Sequence, residues 1–255
     1  MEQLMDISHV SYSYHTMQGE TPALSNINFT VHKGDFLAIV GPSGCGKSTL
    51  LSLLAGLLEP EHGSIFLYGQ KVSQKGNRSI GYMLQHDHLF EWRTVEKNVL
   101  LGLEIQHKLC AETRESVLDM LKTYGLYQFK DARPSQLSGG MRQRAALIRT
   151  LALKPEILLL DEPFSALDYQ TRLTVGNDIG AIIKKEGKTA ILVTHDLSEA
   201  ISLGTQIIVL SRRPASVSTT IPIRFSETLS ALERRNSPEF KDYFNKIWKE
   251  LNKYE

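Results

Sequence analysis

Apolar residues recur along this chain in three rhythms. Near the amino terminus they alternate with polar ones, as Ile7, Val10, Tyr12 and Tyr14 and then Ile27, Phe29 and Val31, interrupted by Gly19, Pro22 and Gly34. Alternation means one covered face, so residues 4–14 and the early part of 24–40 are expected as antiparallel strands. Further on the apolar residues run unbroken, over 35–40, 156–161, 189–194 and 206–210. An unbroken run of strand length is covered on both faces, which predicts a parallel sheet sandwiched by helices. The run at 35–40 enters a glycine-rich turn and then a helix-like stretch over 47–56, the first half of a βαβ unit. The third rhythm is helical: Val95, Val99 and Leu103, then Val117, Leu118, Leu121 and Tyr124, with Gly125 as a C-terminal cap. This stretch, roughly 93–128, is expected as an inserted helical subdomain. At the far end Ser237 as N-cap and Pro238 in the first turn precede Phe240, Tyr243, Phe244, Ile247, Trp248 and Leu251 on one helix face, which is expected to pack on its own domain. No internal repeat and no low-complexity tract interrupts these patterns.

Composition narrows the class without changing the picture. The 255 residues are 42% hydrophobic and 22% charged, which suits a globular chain and excludes disordered, collagenous and coiled-coil classes. Lys+Arg 29 against Asp+Glu 28 gives a net charge of +1, without the basic excess of a general nucleic-acid binder, so no nucleic-acid partner is expected. The two cysteines, Cys45 and Cys110, form no CxxC pair, and a reducing compartment follows as the default. The first residues carry no signal peptide, and no stretch reaches the ~18 apolar residues of a membrane span.

Candidate chemistry begins at Gly41-Pro42-Ser43-Gly44-Cys45-Gly46-Lys47-Ser48, which matches G-x-x-x-x-G-K-[ST] between a strand and a helix. Glycines let successive backbone N–H groups curl around a β-phosphate, the helix N-terminus adds its dipole, Lys47 bridges the β- and γ-phosphates, and the Ser48 hydroxyl ligates Mg²⁺. Cys45 is expected to contribute backbone only. Leu137-Ser138-Gly139-Gly140-Met141 opens a second helix with glycine-freed N–H groups, a second phosphate-binding surface; in isolation it would read as a capped linker. The strand at 157–161 ends in Asp161 and Glu162, the first placed to hold Mg²⁺ through water and the second to orient or deprotonate an attacking water. His195 follows the strand at 190–194, at the carboxyl end where α/β sheets place ligands.

Taken together these motifs resemble the ATP-binding subunit of ABC transporters: Walker A over 41–49, including Thr49, Gln85 at the Q-loop position, the LSGGM signature at 137–141, Walker B with Glu162, a D-loop at Ser165-Ala166-Leu167-Asp168, and His195 as the H-loop. The resemblance implies a P-loop NTPase core with a parallel sheet, an N-terminal antiparallel β subdomain and an inserted helical subdomain. It implies one domain over 1–255, with a nucleotide-binding core of 1–85 and 137–215, a helical subdomain of 86–136, and a C-terminal strand and helix extension of 216–255. It also implies that ATP and Mg²⁺ bind, that Tyr14 stacks on adenine with Tyr12 as the fallback, and that Gln85 contacts Mg²⁺ and the attacking water while relaying to a membrane domain. Asp168 would cross a dimer interface and His195 would hold the γ-phosphate. Two copies would face head to tail, each ATP lying between the P-loop of one and the LSGGM of the other.

The expected setting is the cytoplasmic face of a bacterial inner membrane, where a homodimer binds integral membrane permease subunits and, through them, a periplasmic or lipoprotein solute-binding protein. The segment 88–99 and the aromatic C-terminal helix are similar to importers of the nitrate, sulfonate, taurine and thiamine-precursor type. Trp92 fits two readings, a permease contact or the core of the helical subdomain. An exporter ATPase is the nearer rival. A soluble ABC ATPase of DNA repair, chromosome organisation or translation would need long coiled-coil inserts or a second cassette. The chain also ends before an appended regulatory domain would begin.

Overall fold

The computed structural model describes residues 2–17, 19–73, 77–226 and 228–254. In chain order the elements are β1 (Gln3–Thr16), β2 (Gly19–His32), β3 (Phe36–Val40), α1 (Lys47–Leu54), β4 (His62–Leu67), β5 (Gln70–Lys71), β6 (Ile80–Met83), α2 (Val95–Ile105) and α3 (Ala111–Thr123). There follow α4 (Gly139–Leu151), β7 (Ile157–Asp161), α5 (Tyr169–Lys185), β8 (Thr189–Val193), α6 (Leu197–Leu203), β9 (Gln206–Leu210), β10 (Val217–Pro222), α7 (Ala231–Arg235) and α8 (Pro238–Leu251).

Two sheets form the frame. One is antiparallel, in the order β2-β1-β4-β5, and the other runs β10-β9-β3-β8-β7-β6. In the second sheet β9, β3, β8, β7 and β6 are parallel and only β10 pairs antiparallel, with β9. The unbroken apolar runs have a direct cause in this arrangement. Along β7, Ile157 and Leu159 enter a core shared with the antiparallel sheet and α1, while Leu158 and Leu160 enter a core shared with the helices of the opposite face. β8 divides likewise, Ile191 and Val193 to the first core and Ala190 and Leu192 to the second. Both faces of each strand are apolar because both are covered.

The helical segment is locally encoded. Thr94 caps α2, its hydroxyl accepting from Lys97 N at 3.3 Å, and Gly125 takes a φ of 72° just past α3, the left-handed turn a glycine adopts without steric cost. Val95, Val99, Leu103, Val117 and Leu121 join α4 and α5 in one core. The C-terminal helix behaves differently at its start from the sequence expectation. Ser237 occupies the N-cap position, yet its hydroxyl donates to Arg234 O at 2.9 Å, the carbonyl at the end of the preceding short helix α7 that its own N–H also reaches. Phe240, Tyr243, Phe244, Ile247 and Leu251 pack against β3, α6 and β9, whereas Trp248 is about half exposed and stacks on Phe244. No helix among the described residues is long and apolar enough to cross a membrane.

Candidate functional site

The P-loop is fixed by close backbone packing at one end and by a left-handed residue at the other. After β3, a Cβ at Gly41 would lie 3.1 Å from Leu210 Cβ and 3.2 Å from its carbonyl oxygen, so a larger residue would press on β9. Gly46 caps α1 with φ 118° and provides no side-chain acceptor for the first-turn amides. These N–H groups and the helix dipole leave a donor-rich concavity suited to phosphate. Lys47 is 7% exposed, and its ammonium donates to Gly41 O at 2.8 Å and Pro42 O at 2.9 Å. Neutral carbonyls hold it only moderately, so a phosphate oxygen competes well for it. Cys45 is buried, and burial pushes its thiol up, consistent with a backbone contribution alone.

Asp161, at the end of β7, is 8% exposed and accepts from Ser48 Oγ at 3.2 Å and Tyr82 OH at 3.4 Å. Burial, with the neighbouring Glu162 charge, pushes its carboxyl up, while those hydroxyls and Lys47 pull it down. Tyr82 is pushed up to about 12 by burial and by Asp161. A buried carboxylate beside a serine hydroxyl, short of positive charge, is a donor set that fits a hard divalent cation.

Glu162 has φ 43°, a conformation that costs a non-glycine residue about 1–3 kcal/mol. Its backbone is held from both sides, N–H donating to Val193 O at 2.9 Å and C=O accepting from Ser165 N at 3.1 Å and Ser165 Oγ at 3.0 Å. The strain sets the side chain beside the β8 loop, where His195 Nδ1 lies 2.9 Å from Glu162 Oε2. A carboxylate only accepts, so Nδ1 carries the proton and Nε2 is the imidazole's other face to the site. Gln85 Nε2 donates to Ser165 Oγ at 3.3 Å, which ties the segment after β6 to the turn after β7.

Of the predicted residues, Lys47, Ser48, Asp161, Glu162, His195 and Gln85 thus come together around the ends of β3, β7 and β8, through bonds that include Ser165. Tyr14 is 38% exposed and its hydroxyl is 3.0 Å from Thr49 Oγ1, whereas Tyr12 packs into the core with its edge on Tyr14. Ser138, Gly139, Gly140 and Asp168 are not bonded to this group among the described residues. Ser138 caps α4, accepting from Met141 N at 3.3 Å, and Asp168 caps α5, accepting from Thr171 N at 3.0 Å, which holds its carboxyl below the usual range. The sequence reading assigned Gly139 and Gly140 freed N–H groups at a helix start; packing places a further demand on them. A Cβ at 139 would come 2.8 Å from Leu167 Cδ2, and one at 140 would come 2.6 Å from Val175 Cγ2, so these glycines let α4 start pressed against the D-loop and α5.

Several residues were missed in the sequence. Arg149 donates to His88 O and Asp87 O, each at 2.7 Å, and Arg142 pairs with Asp87 at 3.3 Å. Asn98, fully buried, accepts from Phe90 N at 2.7 Å and donates to Phe90 O and Thr94 O, each at 3.0 Å. Together they mould the 87–94 loop, on which Phe90 and Trp92 stack at 4.7 Å with Trp92 73% exposed. Trp92 therefore does not fill the helical core. The only advance sign was spacing, since Arg142 and Arg149 are two helical turns apart on one face of α4.

Comparison with known proteins agrees with this geometry. The sequence profile of the family described as ABC transporter matches residues 24–165. The chain is 46% identical over 253 residues to the ABC transporter ATP-binding protein YtlC of Bacillus subtilis strain 168, covering 98% of this chain and 96% of that protein. It is 39% identical over 234 residues to the taurine import ATP-binding protein TauB of Escherichia coli K12, covering 92% and 90%. Among solved structures it matches the dimeric post-hydrolysis state of the ATP-binding cassette MJ0796 bound to ADP and Pi, with TM-score 0.74, 31% identity, 87% of this chain and all of that one. The chain belongs to the ABC transporter family of ATP-binding cassettes, ATP hydrolases built on a P-loop core.

Proposed function

We propose that this cassette powers import of a small solute, working as a homodimer on permease subunits at the cytoplasmic face of a bacterial membrane, with a solute-binding protein delivering the cargo. The observation that carries the chemistry is the Glu162–His195 pair beside Ser48 and the buried Lys47 and Asp161. Similarity to a taurine import ATP-binding protein supports the direction of transport and a small solute.

Residues 41–49 wrap the phosphates through backbone N–H groups, and Lys47 exchanges its two loop carbonyls for β- and γ-phosphate oxygens. Ser48, Asp161 and Gln85 would hold Mg²⁺; when bound, that ion neutralises phosphate charge and orients the reacting group. Glu162 accepts a proton from water as the water oxygen bonds to the γ-phosphorus and the bond from that phosphorus to the β-phosphate oxygen breaks, giving ADP and phosphate. His195 holds the γ-phosphate through Nε2, which must also carry a proton to donate to a phosphate oxygen while Nδ1 donates to Glu162. Tyr14 takes the adenine, since its ring is the accessible one of the pair. Ser138, Gly139, Gly140 and Asp168 serve the nucleotide of a second copy, which explains why they stand apart from this chain's own P-loop. Phe90 and Trp92 face the permease.

Glu162→Gln tests the reading. The amide keeps the shape and cannot accept the proton, so ATP should bind while hydrolysis falls by ~10²-fold or more. Gel filtration with ATP should show a trapped dimer, and a species that stays monomeric at high protein and ATP concentration contradicts the proposal.

A further inference from the structure

The loop bearing His195 is connected to the D-loop by one side chain that the reading above does not use. Thr194, 2% exposed, donates to Glu199 Oε2 at 2.6 Å and accepts from Asp196 N at 3.0 Å, and Asp196 Oδ1 caps α6 through Ser198 N at 2.7 Å. Arg172 of α5 approaches both carboxylates, Nη1 at 3.5 Å from Asp196 Oδ2 and Nε at 3.8 Å from Glu199 Oε1. On its other side Nη2 donates to Leu167 O at 3.1 Å, and its backbone N–H donates to Asp168 O at 2.9 Å. A single guanidinium thus spans the residue before Asp168 and two acids that follow His195.

The span is incompletely engaged. Arg172 Nε is buried without a hydrogen bond, and a buried donor left unjoined beside an acceptor is an unfavourable arrangement. Closing the gap to Glu199 by about 1 Å would satisfy it. Burial pushes the Glu199 carboxyl up, while the Thr194 hydroxyl and, less strongly, the Arg172 charge draw it back.

We propose that Arg172 is a positioning residue that transmits the placement of the D-loop to His195, tightening onto Glu199 and Asp196 when a second copy presses on Asp168. This rests on reading the D-loop as the part that meets a second copy. It makes the γ-phosphate contact in one copy depend on closure of the dimer, through a brace within the chain. A bland alternative is that Arg172 only neutralises buried Glu199.

Charge-removing variants of the full chain separate the two. Breaking one partner of a buried pair leaves an uncompensated charge, whereas removing both restores stability. Arg172→Met/Glu199→Gln should therefore melt near the wild-type temperature and bind ATP within about two-fold of wild type, yet hydrolyse saturating ATP about 10-fold more slowly, because His195 is no longer held. Arg172→Lys keeps the charge but cannot reach Leu167 O and both acids together, so it should fold normally and lose turnover in the same direction. Wild-type turnover at saturating ATP in either folded variant overturns the proposal and leaves Arg172 a counter-ion. The Glu162→Gln dimer is the control: if it does not form, the shared-site reading falls and this inference with it, whereas a trapped dimer together with wild-type turnover in the Arg172 variants removes the brace alone.

Discussion

Two helices of this molecule start in glycine-rich turns, and they use the glycines for opposite purposes. At α1 the cap is Gly46, left-handed at φ 118° and without a side-chain acceptor, so the first-turn amides are left for a ligand. At α4 the cap is Ser138, whose hydroxyl already accepts from Met141 N, and the next two glycines serve contact with Leu167 and Val175. In the function proposed above, the first start is a binding site in its own right. The second packs against the D-loop, so its cap and Asp168 lie on neighbouring elements. On that proposal, similar composition encodes a resident site at α1 and a presented surface at α4.

The largest expected effect breaks the resident site. Lys47→Ala removes the buried ammonium that exchanges loop carbonyls for phosphate, and both ATP affinity and turnover should fall, turnover by ~10²-fold or more. Wild-type affinity measured by nucleotide titration would remove α1 from its assigned role.

A smaller effect sharpens why the site is strained. Asp161 is buried beside Glu162 with its carboxyl pushed up, so its charge disfavours the fold at neutral pH. Asp161→Asn should raise the melting midpoint of the nucleotide-free chain and abolish the Mg²⁺ dependence of ATP binding. The sign with pH follows from linkage: the cost of the buried charge is full above the raised folded value and vanishes below the unfolded value of ~3.9. The melting gap between variant and wild type should narrow as the pH falls through that window, and a gap that widens contradicts the burial argument.

The smallest effect on the isolated chain lies on the presented side. Trp92→Ala removes an exposed ring lying against Phe90, so the melting midpoint of the free chain should hardly move and its basal hydrolysis should change by less than about two-fold, while assembly with the permease weakens. A large drop in melting temperature would return Trp92 to the core.

How legible all this was depends on where the physics leaves its mark. β3, β7, β8 and β9 stand out because coverage on both faces makes an unbroken apolar run, and Lys47, Asp161, Glu162 and His195 lie at their ends. β4 and β6 do not stand out. β4 buries only Ile65 and Leu67, and β6 contains Gly81, where a Cβ would meet Thr150 Cγ2 at 2.6 Å, so close packing has replaced the apolar side chain that would have signalled a strand. α7 is five residues long, too short for periodicity to show. Arg149, Asn98 and Arg172 were invisible for a further reason. The partners of Arg149 and Asn98 are mainly backbone groups, which every residue has, those of Arg149 lying 61 and 62 positions away, and the acids that Arg172 approaches lie on another element. The Glu162 backbone strain depends in part on Val193, 31 positions away in the sequence, a contact its own neighbourhood does not announce.

The central claim, that the α4 start serves the nucleotide of another copy, is tested most directly by mixing two defective variants. Lys47→Ala spoils the P-loop, and Ser138→Arg places a bulky cation at the α4 start. Each homodimer should fail to trap nucleotide. If the site is shared across a two-fold dimer, a mixed dimer pairs one intact P-loop with one intact α4 start, and random mixing at equal amounts restores about a quarter of all sites. Nucleotide trapping in differentially tagged mixtures is the readout, since turnover can require both sites. Recovery near that fraction is the predicted result. No recovery, with mixed dimers shown to form, would mean that Ser138 serves its own chain's nucleotide and would contradict the account.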